Sequence, residues 1–193
     1  MINIVLFGKP GAGKGTQAEF LKEKYDLLHI STGNVFRYNL ENNTELGQRA
    51  RFFMDNGQLV PDDLTIKMLQ DEVEKNLKVN GFLFDGFPRT IAQAKALDDF
   101  LYSKNWSVTA TIALESDDEI LIQRLLKRGQ TSGRVDDQDE NKIRNRYQEY
   151  NQKTKPLIDY YTKKGLFYSV NGIGHVQEVT QRLSSVIDDF IDK

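Results

Sequence analysis

Cysteine is absent from this 193-residue chain, which excludes disulfides and any cysteine-ligated zinc site. Histidine is nearly absent: His29 and His175 are the only two, too few for a histidine metal centre. His29 falls in a short strand pattern and His175 near a helix start, so both read as structural. No apolar run approaches the length that spans a bilayer. The first residues lack the basic region and small-residue cleavage site of a signal peptide. A soluble, cytoplasmic protein with no membrane partner is expected. An excess of either charge is missing too, with 26 Lys and Arg against 28 Asp and Glu, a net charge of −2 and a pI near 5.8. That balance argues against nucleic acid as a partner, yet it leaves arginines free to gather locally around an anion. No stretch repeats with a period of 20 to 50 residues, and none is low in complexity.

What is present is 39% hydrophobic residues, enough for a real core in a chain of one-domain length. The most informative stretch is Gly8-Lys9-Pro10-Gly11-Ala12-Gly13-Lys14-Gly15-Thr16. It follows the apolar run Ile2-Asn3-Ile4-Val5-Leu6-Phe7 and leads into a helical pattern with Ala18, Leu21 and Tyr25 on one face. Strand, glycine-rich turn and helix form a phosphate-binding loop: the backbone curls, its N–H groups point inward, and the helix start adds a positive dipole end. Lys14 can reach the outer phosphates as a point charge. Gly15 stands where such loops usually carry Ser or Thr, so Thr16 is the nearest hydroxyl, and Mg²⁺ is expected to be held mostly by nucleotide and water.

Strand and helix patterns alternate along the rest of the chain. Residues 27–31 read as a strand. Residues 31–60 form a small helical insertion, with helices over about 34–41 and 44–55 and a stop at Asn56-Gly57. Ile66, Leu69, Val73 and Leu77 mark an amphipathic helix that Asn80-Gly81 would end. Phe82-Leu83-Phe84 is a continuous apolar run, as in a buried parallel strand. Thr90 caps a helix reaching Leu101, residues 108–114 form the next strand, and Ile120, Leu121, Leu125 and Leu126 lie on the following helix. Gly129-Gln130-Thr131-Ser132-Gly133 reads as a turn-rich break. A long helix from about Asp139, interrupted at Pro156, stops at Gly165. A last strand spans 166–170, and Val176, Val179, Leu183, Val186, Ile187 and Phe190 form a final helical stripe. The pattern predicts an α/β P-loop fold, with five parallel strands and helices on both faces. Ligands in such sheets sit at the carboxyl ends of strands, where both the glycine-rich loop and Asp85 fall.

Asp85 ends an apolar strand, a position from which an aspartate orients Mg²⁺ directly or through water in P-loop proteins. Arg89, four residues on, offers a guanidinium suited to bidentate phosphate binding. Of the ten arginines, Arg37, Arg89, Arg124, Arg128, Arg134 and Arg146 stand in motif-like settings. Arg134 follows a flexible-looking break, and Asp136-Asp137 beside it could pair with these arginines.

Phe84-Asp85-Gly86-Phe87-Pro88-Arg89 followed by Gln93 is the most specific of several runs through which the chain resembles adenylate kinases of the short-lid type. The others are 8–17, 31–33, 57–62, 127–137 and 143–147, so the resemblance covers essentially the whole length. It implies reversible Mg²⁺-dependent phosphoryl transfer between ATP and AMP, giving two ADP, with a role in adenine nucleotide homeostasis and no zinc. It implies that Gly11, Ala12, Gly13, Lys14, Gly15 and Thr16 wrap the phosphates of ATP, that Arg128 binds ATP, and that Gly174 meets its adenine through backbone. AMP would be held by Thr32, Arg37, Gln58, Leu59, Val60, Gly86, Phe87, Pro88, Arg89 and Gln93, together with Arg134 and Arg146. Lys14, Arg89, Arg128, Arg134 and Arg146 would form the catalytic set, with Asp85 acting on the metal through water. The implied partition is a core of 1–30, 61–128 and 136–193, an AMP-binding insertion of 31–60 and a short lid of 129–135, in a monomer. A UMP/CMP kinase is the alternative within the same fold; Thr32, Leu59 and Gln93 favour adenine. A GTPase would need Asn-Lys-x-Asp, and the only Asn-Lys, Asn141-Lys142, runs on to Ile143-Arg144. Two residues depart from the family pattern. Asn34 replaces an acidic residue, and Lys9 adds a charge to the phosphate loop, where it is expected to face solvent.

Overall fold

A computed structural model describes residues 1–132 and 134–191. Five strands, β1 (Ile2–Phe7), β2 (Leu28–Ser31), β3 (Gly81–Asp85), β4 (Ala110–Glu115) and β5 (Phe167–Asn171), form one sheet in the order β2-β3-β1-β4-β5. All four pairings are parallel. β1 is therefore central, and Leu6 stands in register with Asp85. This places the loop leaving β1 beside the carboxylate that ends β3, the mid-sheet position where such folds bind ligands.

Alternation along β1 splits the core in two. Ile4 and Leu6 pack with α1 (Lys14–Tyr25), α6 (Asp118–Ser132), α7 (Glu140–Glu149) and α9 (Val176–Ile191), whose buried members include Ala18, Leu125, Ile143 and Leu183. Val5 and Phe7 face α4 (Asp62–Glu74), α5 (Ile91–Tyr102) and α8 (Leu157–Thr162), through Leu69, Leu97 and Tyr161. Because both faces are covered, the central strands read as unbroken apolar runs. A third, smaller cluster joins Phe36 of α2 (Thr32–Glu41) and Ala50 of α3 (Glu45–Asp55) to Val60 and Met68. Thr44 caps α3 by accepting from the Gly47 amide.

Four local expectations are corrected. α4 ends at Glu74, so Leu77 lies beyond it and is 42% exposed. Gly81 does not stop a helix; it opens β3, where a Cβ would stand 1.9 Å from the Ile2 carbonyl oxygen. The break expected over 129–133 is helical as far as Ser132, and Gly133 lies outside the described residues. Gly129 is buried, and a Cβ there would lie 2.5 Å from the carbonyl oxygen of Asp137. Glycine in a helix costs about 1 kcal/mol; here it lets α6 press against the 3₁₀ turn Val135–Asp137. The helical interruption near Pro156 begins earlier than its ring, as a π turn over Tyr150–Thr154. Proline cannot donate and crowds the preceding turn, and the wider turn is closed by the Lys155 amide on the Tyr150 carbonyl at 2.8 Å.

Candidate active site

The loop after β1 enters α1 through Gly13, whose φ of 92° lies in the left-handed region. No side chain caps this helix start, so its first amides remain available to an anion. Lys14 folds back over the loop, donating to the carbonyls of Gly8 at 2.8 Å and Lys9 at 3.2 Å. Burial pushes its pKa down to about 8; the charge of Asp85 opposes that shift, and Arg89, Arg146 and Arg128 add to it. An amine so destabilised as a cation is poised to gain from a polyanion. Lys9 is not simply solvent-facing: it pairs with Asp118 and lies over the Tyr147 ring, 5.7 Å from its centroid. Tyr147 in turn donates to the Pro10 carbonyl at 3.2 Å. Lys9 thus ties the loop's outer edge to α6 and α7.

Asp85 is buried at the end of β3. Burial pulls its pKa up, but His29, with Nε2 at 3.6 Å, and the charges of Lys14 and Arg89 win and hold it below the ordinary carboxylate value. A Cβ on Gly15 would stand 3.9 Å from Asp85 Oδ2, so no side chain intervenes between the helix start and this carboxylate. Among the described residues there is no group of three His, Asp or Glu that could hold a metal by itself. One ionised carboxylate beside an open helix start fits a cation that arrives with its own phosphate and water ligands.

A cavity opens beside the loop between the sheet end and the helical insertion. Gly8 and Lys14 form one end; Thr32, Arg37, Gln58, Leu59 and Val60 contribute from the insertion; Gly86, Pro88, Arg89, Gln93 and Arg146 close the rest. Thr32 Oγ1 donates to the Gly86 carbonyl at 2.9 Å, and Arg89 Nε donates to the same oxygen at 2.8 Å. Thr154, on the π turn, donates to the Arg89 carbonyl at 3.0 Å. Arg89 is half-buried, and desolvation, then the charge of Arg146, lowers its pKa. Arg37 is pushed down to about 10 by burial and then by Arg134, while Asn34 Oδ1 accepts from its guanidinium at 2.7 Å.

A second knot of arginines centres on Asp137, which is fully buried. It accepts from Arg128 Nε at 2.6 Å and Arg146 Nη1 at 2.6 Å; Asp136 lies 3.0 Å from Arg146. The expected acid–arginine pairing is present, with Arg128 and Arg146. Arg134 is half-buried and does not line the cavity, although its charge reaches Arg37 and Arg128. Arg124 is exposed on α6, away from this group.

Several sequence-predicted residues sit outside the cavity wall. Gly11, Ala12, Gly13, Gly15 and Thr16 belong to the loop and helix start next to it. Phe87 is 1% exposed and packs into the core with Val5 and Phe84, so any part it takes in binding is through its backbone. Gly174 lies in an exposed loop with φ of 131°, where a Cβ would strike Glu178 Oε2 at 2.5 Å. Arg182 fixes this loop by donating to the carbonyls of Asn171 and Ile173. Phe36, Met54, Thr65, Tyr150 and Thr154 also line the cavity. Phe36 and Met54 belong to the helical insertion of 31–60, and none of these five residues carries a sequence signal for the site.

The parallel sheet, the glycine-rich loop and the converging guanidinium groups define a P-loop protein built to hold more than one phosphate chain. The adenylate kinase family model matches residues 6–166. An adenylate kinase of Flavobacterium psychrophilum is 71% identical over 98% of this chain and 100% of its own length. One from Flavobacterium johnsoniae is 68% identical over the same shares, and one from Porphyromonas gingivalis is 42% identical over 98% of this chain and 97% of its own. The chain belongs to the adenylate kinase family.

Proposed function

We propose that this chain carries out its family's reaction, transfer of the terminal phosphoryl group of ATP to AMP, in the cavity between the phosphate loop and the helical insertion. The supporting observation is that Lys14, Arg89 and Arg146 line a single cavity together with Gln93 and the apolar side chains Phe36, Met54 and Val60. Cations suit phosphates; apolar walls with one fixed amide suit a base. ATP would approach from the open start of α1, and AMP would lie under the insertion.

In the forward direction an oxygen of the AMP phosphate attacks the γ-phosphorus. The bond to the β–γ bridging oxygen breaks, and that oxygen leaves with its electron pair as the end of ADP. The second pKa of a phosphate monoester is about 6, so the attacking oxygen is already ionised and no side chain need act as general base. Magnesium bound to the nucleotide supplies further neutralisation of the phosphates, and Asp85 would hold one of its waters. Lys14, Arg89, Arg128, Arg134 and Arg146 align and neutralise the chain of phosphates. Closure of residues 31–60 and of the short lid would exclude water that would otherwise accept the phosphoryl group. No helix among the described residues is long and apolar enough to cross a membrane, and we take the working protein to be a cytoplasmic monomer.

Mixing the purified chain with ATP, AMP and Mg²⁺ should yield two ADP per AMP consumed and no free phosphate; one ADP and one free phosphate per ATP, with AMP unconsumed, would refute transfer. Offering AMP, UMP, CMP and GMP in turn should show AMP strongly preferred, and a preference for the pyrimidines would instead favour the UMP/CMP kinase reading.

Two expected outcomes follow from the electrostatics. Lys14 is a cation only below its pKa of about 8 in the free protein. kcat/KM for MgATP should therefore fall as pH rises through about 8, whereas kcat should hold to higher pH because bound phosphates restore the proton. A kcat/KM profile flat to pH 9.5 would contradict this. Asn34→Asp places a carboxylate where Arg37 now meets a neutral amide. Partial neutralisation of Arg37 should raise KM for AMP about three- to tenfold with kcat changed less than twofold; an unchanged or lower KM would show that Arg37 does not serve the AMP phosphate.

A further inference from the structure

Gln93 and Asp62 are 31 residues apart in sequence and meet at the edge of the cavity. Gln93 is 2% exposed and belongs to the cavity wall. Its Oε1 accepts from the Arg89 amide at 2.7 Å, and its Nε2 donates to Asp62 Oδ1 at 2.8 Å. The other carboxylate oxygen of Asp62 accepts from Thr90 Oγ1 at 2.8 Å, and that hydroxyl caps α5 by accepting from the Gln93 amide at 3.1 Å. The terminal amide of a glutamine can ordinarily turn over, exchanging donor for acceptor. Here it cannot do so freely. A backbone N–H only donates and a carboxylate only accepts, so the two neighbours hold oxygen and nitrogen in one order.

We propose that Asp62 is a positioning residue that sets base selectivity by locking the Gln93 side-chain amide in a single orientation. The proposal rests on the reading of this cavity as the AMP site. An amide has four hydrogen-bonding positions, two donors and two acceptors. One of each is spent on Asp62 and Arg89, leaving one Nε2–H and one Oε1 lone pair. A 6-aminopurine presents an acceptor at N1 beside a donor at N6 and matches that order. A 6-oxopurine presents a donor at N1 beside an acceptor at O6. In the same pose it would set donor against donor and oxygen against oxygen unless the amide turned over. A buried site with its polar order fixed discriminates far more strongly than an apolar pocket that differs by one group. Asp62 does not itself line the cavity, so its effect on the base passes through Gln93.

The test compares kcat/KM for AMP and for IMP in the unaltered chain, Asp62→Ala and Asp62→Asn, with thermal melting as a check on folding. Asp62→Ala should lower the AMP-to-IMP ratio at least tenfold, chiefly through KM for AMP, with kcat for AMP within threefold. A purely structural loss would lower both substrates together and leave the ratio alone. Asp62→Asn keeps an acceptor for Gln93 and can donate to Thr90 Oγ1, so it should retain the ratio within threefold. A ratio unchanged in Asp62→Ala, or lost equally in both variants, overturns the proposal while leaving the AMP reading intact. Absence of AMP turnover by the unaltered chain overturns both.

Discussion

Replacing Lys14 with Met should lower kcat by about 10³-fold or more, with a much smaller change in ATP affinity. Methionine keeps the length of the stem and removes the charge. The glycine-rich backbone and the open start of α1 remain, so the ground-state phosphates keep most of their amide donors. What is lost is a cation that is already held next to the phosphates' path. Its ammonium is clasped by the Gly8 and Lys9 carbonyls, so it would turn from those oxygens to the outer phosphates with little reorganisation. Charge shifts toward the bridging oxygen as the terminal phosphoryl group departs, so a cation there serves the transition state more than the bound substrate. A 10³-fold effect corresponds to about 4 kcal/mol, large for one exposed ion pair but ordinary for a preorganised group facing charge that develops in the transition state. Lys14→Arg should not rescue, because a planar guanidinium cannot enter the space that a tetrahedral ammonium fills between two loop carbonyls. Turnover by initial rate and ATP binding by equilibrium dialysis separate the two contributions. A loss of less than tenfold in kcat would confine Lys14 to ground-state binding.

The parts of this structure that were legible in the sequence are those encoded locally. Ile2–Phe7 and Gly81–Asp85 are unbroken apolar runs because their sheet is covered on both faces. The phosphate loop announces itself through glycines that only a curled backbone needs. Thr90 reads as a helix cap and acts as one; Thr44, read as the start of its helix, caps it from just outside. Glycine was less reliable where it marks close approach instead of a turn. Gly81 and Gly129 look like stops, yet each is a place where a second segment passes too near for a Cβ: the Ile2 carbonyl in one case and the Asp137 carbonyl in the other. Neither neighbour is encoded within a dozen residues of Gly81 or read from the helical pattern around Gly129. The π turn had a sequence signal, Pro156, but the signal told only that the helix must be disturbed, not that the disturbance would fall on Tyr150–Thr154.

The same division holds in the site. Lys14, Asp85 and Arg89 could be found because each follows a strand or its turn, and strand ends converge in a parallel sheet. The direction of Phe87 could not: it lies within the most specific motif of the chain, yet its side chain belongs to the core. The sequence pointed to Asp136 and Asp137 as partners of the arginines, but neither which arginines they join nor the role of Asp62 could be assigned from spacing. Asp62 reaches Gln93 across α4 and β3, and Asp137 joins Arg128 to Arg146 from two different helices. Such links depend on how elements pack, which periodicity does not report.

Asp137→Ala should be damaging to both stability and catalysis, in a way that nucleotide partly repairs. The carboxylate is the shared counter-ion of Arg128 and Arg146, and Lys14 and Arg89 add positive charge nearby. Removing it leaves two guanidinium groups facing each other in a partly buried setting. Breaking a buried ion pair from one side costs about 3 kcal/mol at the lower end of its range, the end appropriate here because Arg128 retains 38% exposure. For a chain of this length that lowers Tm by about 6–12 °C. Misplacing two phosphate-binding arginines by about 1 Å should lower kcat on the order of 10²-fold. Saturating ADP offers the same guanidinium groups new anionic partners, so the Tm gap between parent and variant should narrow with nucleotide present. The acid limb carries an independent signature. Burial alone would raise the pKa of Asp137, but the Arg128 hydrogen bond and the charges of both arginines hold it below its ordinary 3.8. Its stabilising contribution is therefore complete above that value and is lost as pH falls through the lower folded-state pKa. The stability gap between parent and Asp137→Ala should be constant from about pH 5 to 7 and shrink below pH 3.8. Denaturant titrations at a series of pH values measure that gap, and one that stays constant into the acid would mean the two arginines are held by something other than this carboxylate.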